Sequence, residues 1–109
     1  NQLRQLILSF RVRHPTDLRD LVAACSEHLP HLETLYIHTY DSLAALTTER
    51  LAKMKSLRTL VICDAKDLSW KTSGPKQITE LKLFGVALTK STLRAIGTMS
   101  ALHTLELYS

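Results

Sequence analysis

Cys63 and the histidines, His38 above all, carry the reactive chemistry of this 109-residue sequence. A thiol beside an imidazole can pass its proton to the ring and become a thiolate nucleophile, and the same two side chains make half of a zinc site. Either use needs more members: an orienting group and an oxyanion-holding turn for the nucleophile, further ligands for the metal. The sequence specifies none of them. His14, His28, His31 and His103 stand at no ligand spacing, and the three glycines leave little room for a phosphate-cradling loop. The expectation is a protein that is not an enzyme, with no catalytic residue, no metal and no cofactor.

Charge offers a second kind of chemistry. Fourteen Lys and Arg against ten Asp and Glu give a net charge of +4, which suits nucleic acid or an acidic protein surface. The basic residues are scattered, however. Arg11 and Arg13 form one small cluster, and Arg50, Lys53 and Lys55 form another on what reads as the solvated outside of a helix, with no aromatic residues interleaved for base stacking. Nucleic acid is therefore the lesser alternative. Two cysteines are too few for a secreted disulfide scaffold and favour a reducing, intracellular setting, cytoplasmic or nuclear. No apolar run approaches the roughly 20 residues that a membrane span requires.

The elements that must position these residues are legible in the leucines, which fill 21 of 109 positions. Aliphatic-x-x-aliphatic-x-aliphatic occurs five times, as Leu3/Leu6/Leu8, Leu32/Leu35/Ile37, Leu57/Leu60/Ile62, Ile78/Leu81/Leu83 and Leu102/Leu105/Leu107. Successive starts are 29, 25, 21 and 24 residues apart. Composition alone would yield about one such match, so the pattern marks an internal repeat. The last two members of each triplet are two residues apart. On a strand they share one face, while the residues around them point to the other.

Between the triplets, helices are expected. Thr16 or Asp17 after Pro15 caps a stripe of Leu18, Leu21, Val22, Cys25 and Leu29. Thr47 or Thr48 precedes Leu51 and Met54, and Thr89 or Ser91 precedes Leu93, Ile96 and Met99. The third return, from Asp67 to Pro75, is rich in turn residues and reads as a loop or a single helical turn, with Trp70 packing in place of the missing helix.

On these triplets and returns the chain, from Leu3 to Leu107, resembles the leucine-rich repeat family, its helical returns being closest to the ribonuclease-inhibitor-like and cysteine-containing kinds found in F-box proteins. The family's Asn or Cys, eight residues after the first Leu, is replaced by Arg11, Tyr40, Ala65 and Val86, so the loop backbone needs other hydrogen-bond partners. The resemblance implies an α/β solenoid with a short parallel sheet on the concave side and helices and loops on the convex side. It implies a single domain over residues 1–109 of about five irregular repeats. Both ends stop at a repeat edge, so the chain is expected to be a fragment of a longer solenoid, or its ends to pair with further repeats or another chain.

Function in such a stack belongs on the open face of the sheet, formed by three columns. Gln5, Thr34, Thr59, Glu80 and Thr104 make the first. Ile7, Tyr36, Val61, Lys82 and Glu106 make the second, and Ser9, His38, Cys63, Phe84 and Tyr108 the third. Aromatic area beside hydrogen-bonding tips suits another protein as the partner. The expected protein-binding residues are Tyr36, His38, Val61, Cys63, Lys82, Phe84, Glu106 and Tyr108, with the aromatics as anchors and Lys82 and Glu106 setting orientation. By resemblance, the alternative is the substrate-receptor segment of an F-box-type ubiquitin ligase.

Overall fold

The computed structural model describes residues 2–9, 11, 15–71 and 73–108, with the backbone alone at residues 15 and 16. Arg13 and His14 lie outside the described residues. Each aliphatic triplet ends in a five-residue strand: β1 (Gln5–Ser9), β2 (Thr34–His38), β3 (Thr59–Cys63), β5 (Glu80–Phe84) and β7 (Thr104–Tyr108). These pair in parallel, in the order β1-β2-β3-β5-β7, so every strand lies beside its predecessor in the triplet series. The register has no slip: Leu6, Leu35, Leu60, Leu81 and Leu105 form one row, and Leu8, Ile37, Ile62, Leu83 and Leu107 another. Period-two patterning explains this, because a one-residue slip would turn every buried leucine outward.

Backbone hydrogen bonds carry the register beyond the strand ends. Glu33 and Thr34 N–H both donate to the Arg4 carbonyl, and the same fork recurs from Arg58 and Thr59 to Glu33, from Thr79 and Glu80 to Arg58, and from His103 and Thr104 to Thr79. Beyond the strands, Thr39 N–H donates to the Cys63 carbonyl, Asp64 N–H to Phe84 at 2.7 Å and Gly85 N–H to Tyr108. Neighbouring turns thus satisfy these backbone groups with no side-chain amide.

Helices α1 (Pro15–His28), α2 (Thr48–Ala52) and α3 (Lys90–Gly97) cover one side of the sheet. Leu18, Val22 and Cys25 of α1, Leu51 of α2 and Ala95 and Ile96 of α3 enter the same buried cluster as the inward strand residues. Thr47 caps α2 by accepting from Arg50 N–H, and Thr89 caps α3 by accepting from Thr92 N–H, as the threonines before each apolar stripe suggest.

Four details depart from the sequence reading. Helix α1 begins at Pro15, ahead of Thr16 and Asp17, so neither takes the cap position; proline's fixed φ suits the first helical turn. On α3 the inward position beside Ala95 and Ile96 is Thr92, while Leu93 is exposed, because Thr92 has backbone partners to meet. Its hydroxyl donates to the Leu68 carbonyl at 2.7 Å and accepts from Trp70 N–H at 3.2 Å. Arg50 is half-buried rather than solvated, and its Nε is buried with no hydrogen-bond partner among the described residues. The third return contains a two-residue strand, β4 (Asp67–Leu68), paired in parallel with β6 (Ala87–Leu88) of the next return. Trp70 follows β4 and is fully buried, its indole N–H donating to the Leu46 carbonyl at 3.0 Å. It fills the layer that helices occupy in the other returns.

Candidate functional site

The face opposite the helices carries the three expected columns in perfect cross-strand register. Tyr36, Val61, Lys82 and Glu106 are successive partners, as are His38, Cys63, Phe84 and Tyr108. Exposure differs along them. Ile7 is 66% exposed and Tyr108 52%, whereas Val61 is only 3% exposed, flanked in register by Tyr36 and Lys82. Val61 is therefore floor for its neighbours and offers little surface of its own. A short β-branched side chain between longer ones in the central strand is covered by them.

At the β5–β7 end the face is preorganised. The Phe84 and Tyr108 rings stack with centroids 4.9 Å apart and planes within 2°. Tyr108 donates its hydroxyl to Glu106 Oε1 at 2.8 Å, and Lys82 Nζ lies 3.3 Å from Glu106 Oε2. The Tyr108 hydroxyl, followed by the Lys82 ammonium, holds the Glu106 carboxyl below its ordinary value. The same hydrogen bonds hold Lys82 and Tyr108 above theirs. Lys82 and Glu106 thus pair across the strands, and through Glu106 the pair holds the Tyr108 hydroxyl in place beside Phe84.

At the β1–β2 end the register brings other chemistry together. Ser9 is the cross-strand partner of His38, and Cys63 is the partner of His38 on the other side. Ser9 Oγ lies 3.3 Å from His38 Nδ1, and His38 Nε2 lies 3.0 Å from Asp64 Oδ2. Tyr40 packs edge-on against the His38 ring with centroids 5.1 Å apart. A cleft of about 270 Å³ opens there, lined by Ser9, Arg11, His38, Thr39 and Tyr40.

Asp64 is the member that sequence reasoning missed. It follows the strand by one residue, where the alternation of faces no longer applies. Its φ of 64° is in the left-handed region, and this turns the carboxylate toward His38. Asp tolerates that conformation better than most residues, which is the only signal the sequence carried. Gly85, the residue at the same place after β5, has a φ of 66°. A Cβ there would stand 3.1 Å from Asp64 Oδ1, so the glycine leaves the carboxylate its room.

Cys63 holds its proton: burial, then the neighbouring Asp64 carboxylate, pushes the thiol above its ordinary value. Cys25 is likewise pushed up by burial in the core. Among the described residues no cluster of three or more His, Cys, Asp or Glu side chains is arranged to hold a metal ion, and no helix is long and apolar enough to cross a membrane.

No family model, no curated protein and no solved structure matches the chain.

Proposed function

We propose that the chain belongs to the leucine-rich repeat family, that its strand-and-return units form a solenoid, and that it is a protein-protein interaction module whose open sheet face receives an extended segment of another protein. The observation that carries this reading is the stacked Phe84–Tyr108 pair, pinned through Tyr108, Glu106 and Lys82, on a face that no helix covers among the described residues. An aromatic platform whose rotamers are already fixed loses little conformational entropy on binding, which favours a contact hot spot. Ile7 and Tyr36 extend the apolar area toward β1. Basic side chains are sparse on this face, which favours protein over nucleic acid.

A photo-crosslinking residue at Tyr36 should join the chain to a partner in cell extract, while the same residue at Lys53, on the helix side, should not. Phe84→Ala should reduce that crosslinking at least tenfold with an unchanged circular dichroism spectrum. Equal crosslinking from both positions, or full crosslinking by the folded Phe84→Ala chain, overturns the reading.

A further inference from the structure

We propose that Ser9, His38 and Asp64 form an acyl-transfer site that hydrolyses small carboxylic esters, with Ser9 as the nucleophile. The order of the hydrogen bonds assigns the roles. An ionised carboxylate only accepts, so the Asp64 contact at 3.0 Å places a proton on His38 Nε2. In the neutral imidazole this leaves the lone pair on Nδ1, the nitrogen 3.3 Å from Ser9 Oγ. Nucleophile, base and orienting carboxylate thus stand in sequence, which is the geometry that activates a serine.

The fold fixes this arrangement from three strand ends. Ser9 and His38 are direct cross-strand partners, and Asp64 is held by its own N–H bond to the Phe84 carbonyl at 2.7 Å. The left-handed backbone at Asp64 is the one non-glycine instance among the described residues, and such conformations concentrate where a side chain must be aimed. Cys63 flanks His38 on the other side in register, but the contact to Nδ1 is made by Ser9 Oγ, so the hydroxyl and not the thiol is the group His38 activates.

Beside the serine, the cleft of about 270 Å³ is smaller than a drug-sized site and suits a short acyl chain. Arg11 lines the same cleft and brings positive charge to where the carbonyl oxygen turns anionic. In the reaction Ser9 Oγ bonds to the ester carbonyl carbon as its proton passes to His38 Nδ1. The carbon–oxygen bond to the alcohol then breaks, with His38 returning the proton to the leaving oxygen. Water repeats the two steps, releasing the acid and restoring the serine. Ester and water become acid and alcohol with no other reactant.

The His38 and Asp64 side chains are 39% and 48% exposed, so water screens the site and the contribution of His38 falls at the low end for general-base catalysis, about 100-fold. The test is a fluorophosphonate probe together with p-nitrophenyl acetate hydrolysis by the 109-residue chain. The probe should label Ser9, located by peptide mass spectrometry. Ser9→Ala and His38→Ala should each lose labelling and at least tenfold in hydrolysis, and Asp64→Asn should lose about tenfold. Ser26→Ala, on α1, should change neither. Absent labelling, labelling at another residue, or a folded Ser9→Ala chain that hydrolyses at the parent rate through bare imidazole overturns the proposal.

Discussion

Glu106 shows how a single exposed residue organises its neighbours. Its two oxygens take hydrogen bonds from different strand positions, one from Tyr108 and one from Lys82, so it joins an aromatic ring to a cation across the sheet. Because both contacts favour the ionised carboxylate, its folded value lies below the ordinary 4.5. A depressed carboxyl contributes stability above its unfolded value and loses it as pH falls through the folded one. Lys82 and Tyr108 are raised instead, so their contributions are complete at neutral pH and lost only as pH rises through their own elevated values. The network is therefore whole at neutrality and releases first in acid. In a carboxyl NMR titration Glu106 should show a midpoint below 4.5, and Tyr108→Phe, which keeps the ring but removes the largest contributor, should move that midpoint upward. A midpoint that ignores Tyr108→Phe means the hydroxyl contact is absent in solution.

Among the elements, the strands were readable because their information is local: two aliphatic residues two apart, five times over, specify both face and register before any contact is known. Thr47 and Thr89 announced α2 and α3 for the same reason, a cap being a contact three residues long. The β4–β6 pair escaped because two-residue strands are too short for period-two patterning, and what joins Asp67 to Ala87 is proximity created by the larger sheet. The His38–Asp64 contact escaped similarly, since it rests on one backbone dihedral. Gly74 is a subtler case. In sequence, Ser73-Gly74-Pro75 reads as a turn, yet Gly74 is buried where the third return packs on α3. Its N–H donates to the Ala95 carbonyl, and a Cβ added there would lie 2.4 Å from Met99 Cγ and 3.0 Å from the Ala95 carbonyl oxygen. Met99 is flexible and can swing away, but the helix carbonyl cannot. Gly74→Ala should therefore destabilise the fold by about 1–3 kcal/mol, outweighing the few tenths that alanine gains by restricting the unfolded chain. Chemical denaturation measures this, and a midpoint equal to or above the parent's would show that the third return stands further from α3.

For the whole molecule, stability is graded across the sheet because each long strand pairs only with its immediate neighbours in the triplet series. β3 has strands on both sides and three consecutive buried residues, while β7 has a partner on one side among the described strands and leaves Leu105 42% exposed. Equivalent substitutions in one row should then differ in effect. Leu60→Ala opens a cavity at a fully buried site and should cost about 2–5 kcal/mol, a large share of the roughly 5–15 kcal/mol that holds a domain folded. Leu105→Ala removes a side chain already half in water and should cost about 1 kcal/mol. Amide exchange reads the same gradient without mutation: the N–H groups of β3 should exchange only on global unfolding, and those of β7 through local opening at lower free energy. Uniform protection from β1 to β7 would mean that the sheet opens as one unit, or that the outer strands are covered in solution by a further chain. Repeating the measurement across a range of concentrations separates these two cases, because covering by a second copy of the chain is lost on dilution and unified opening is not.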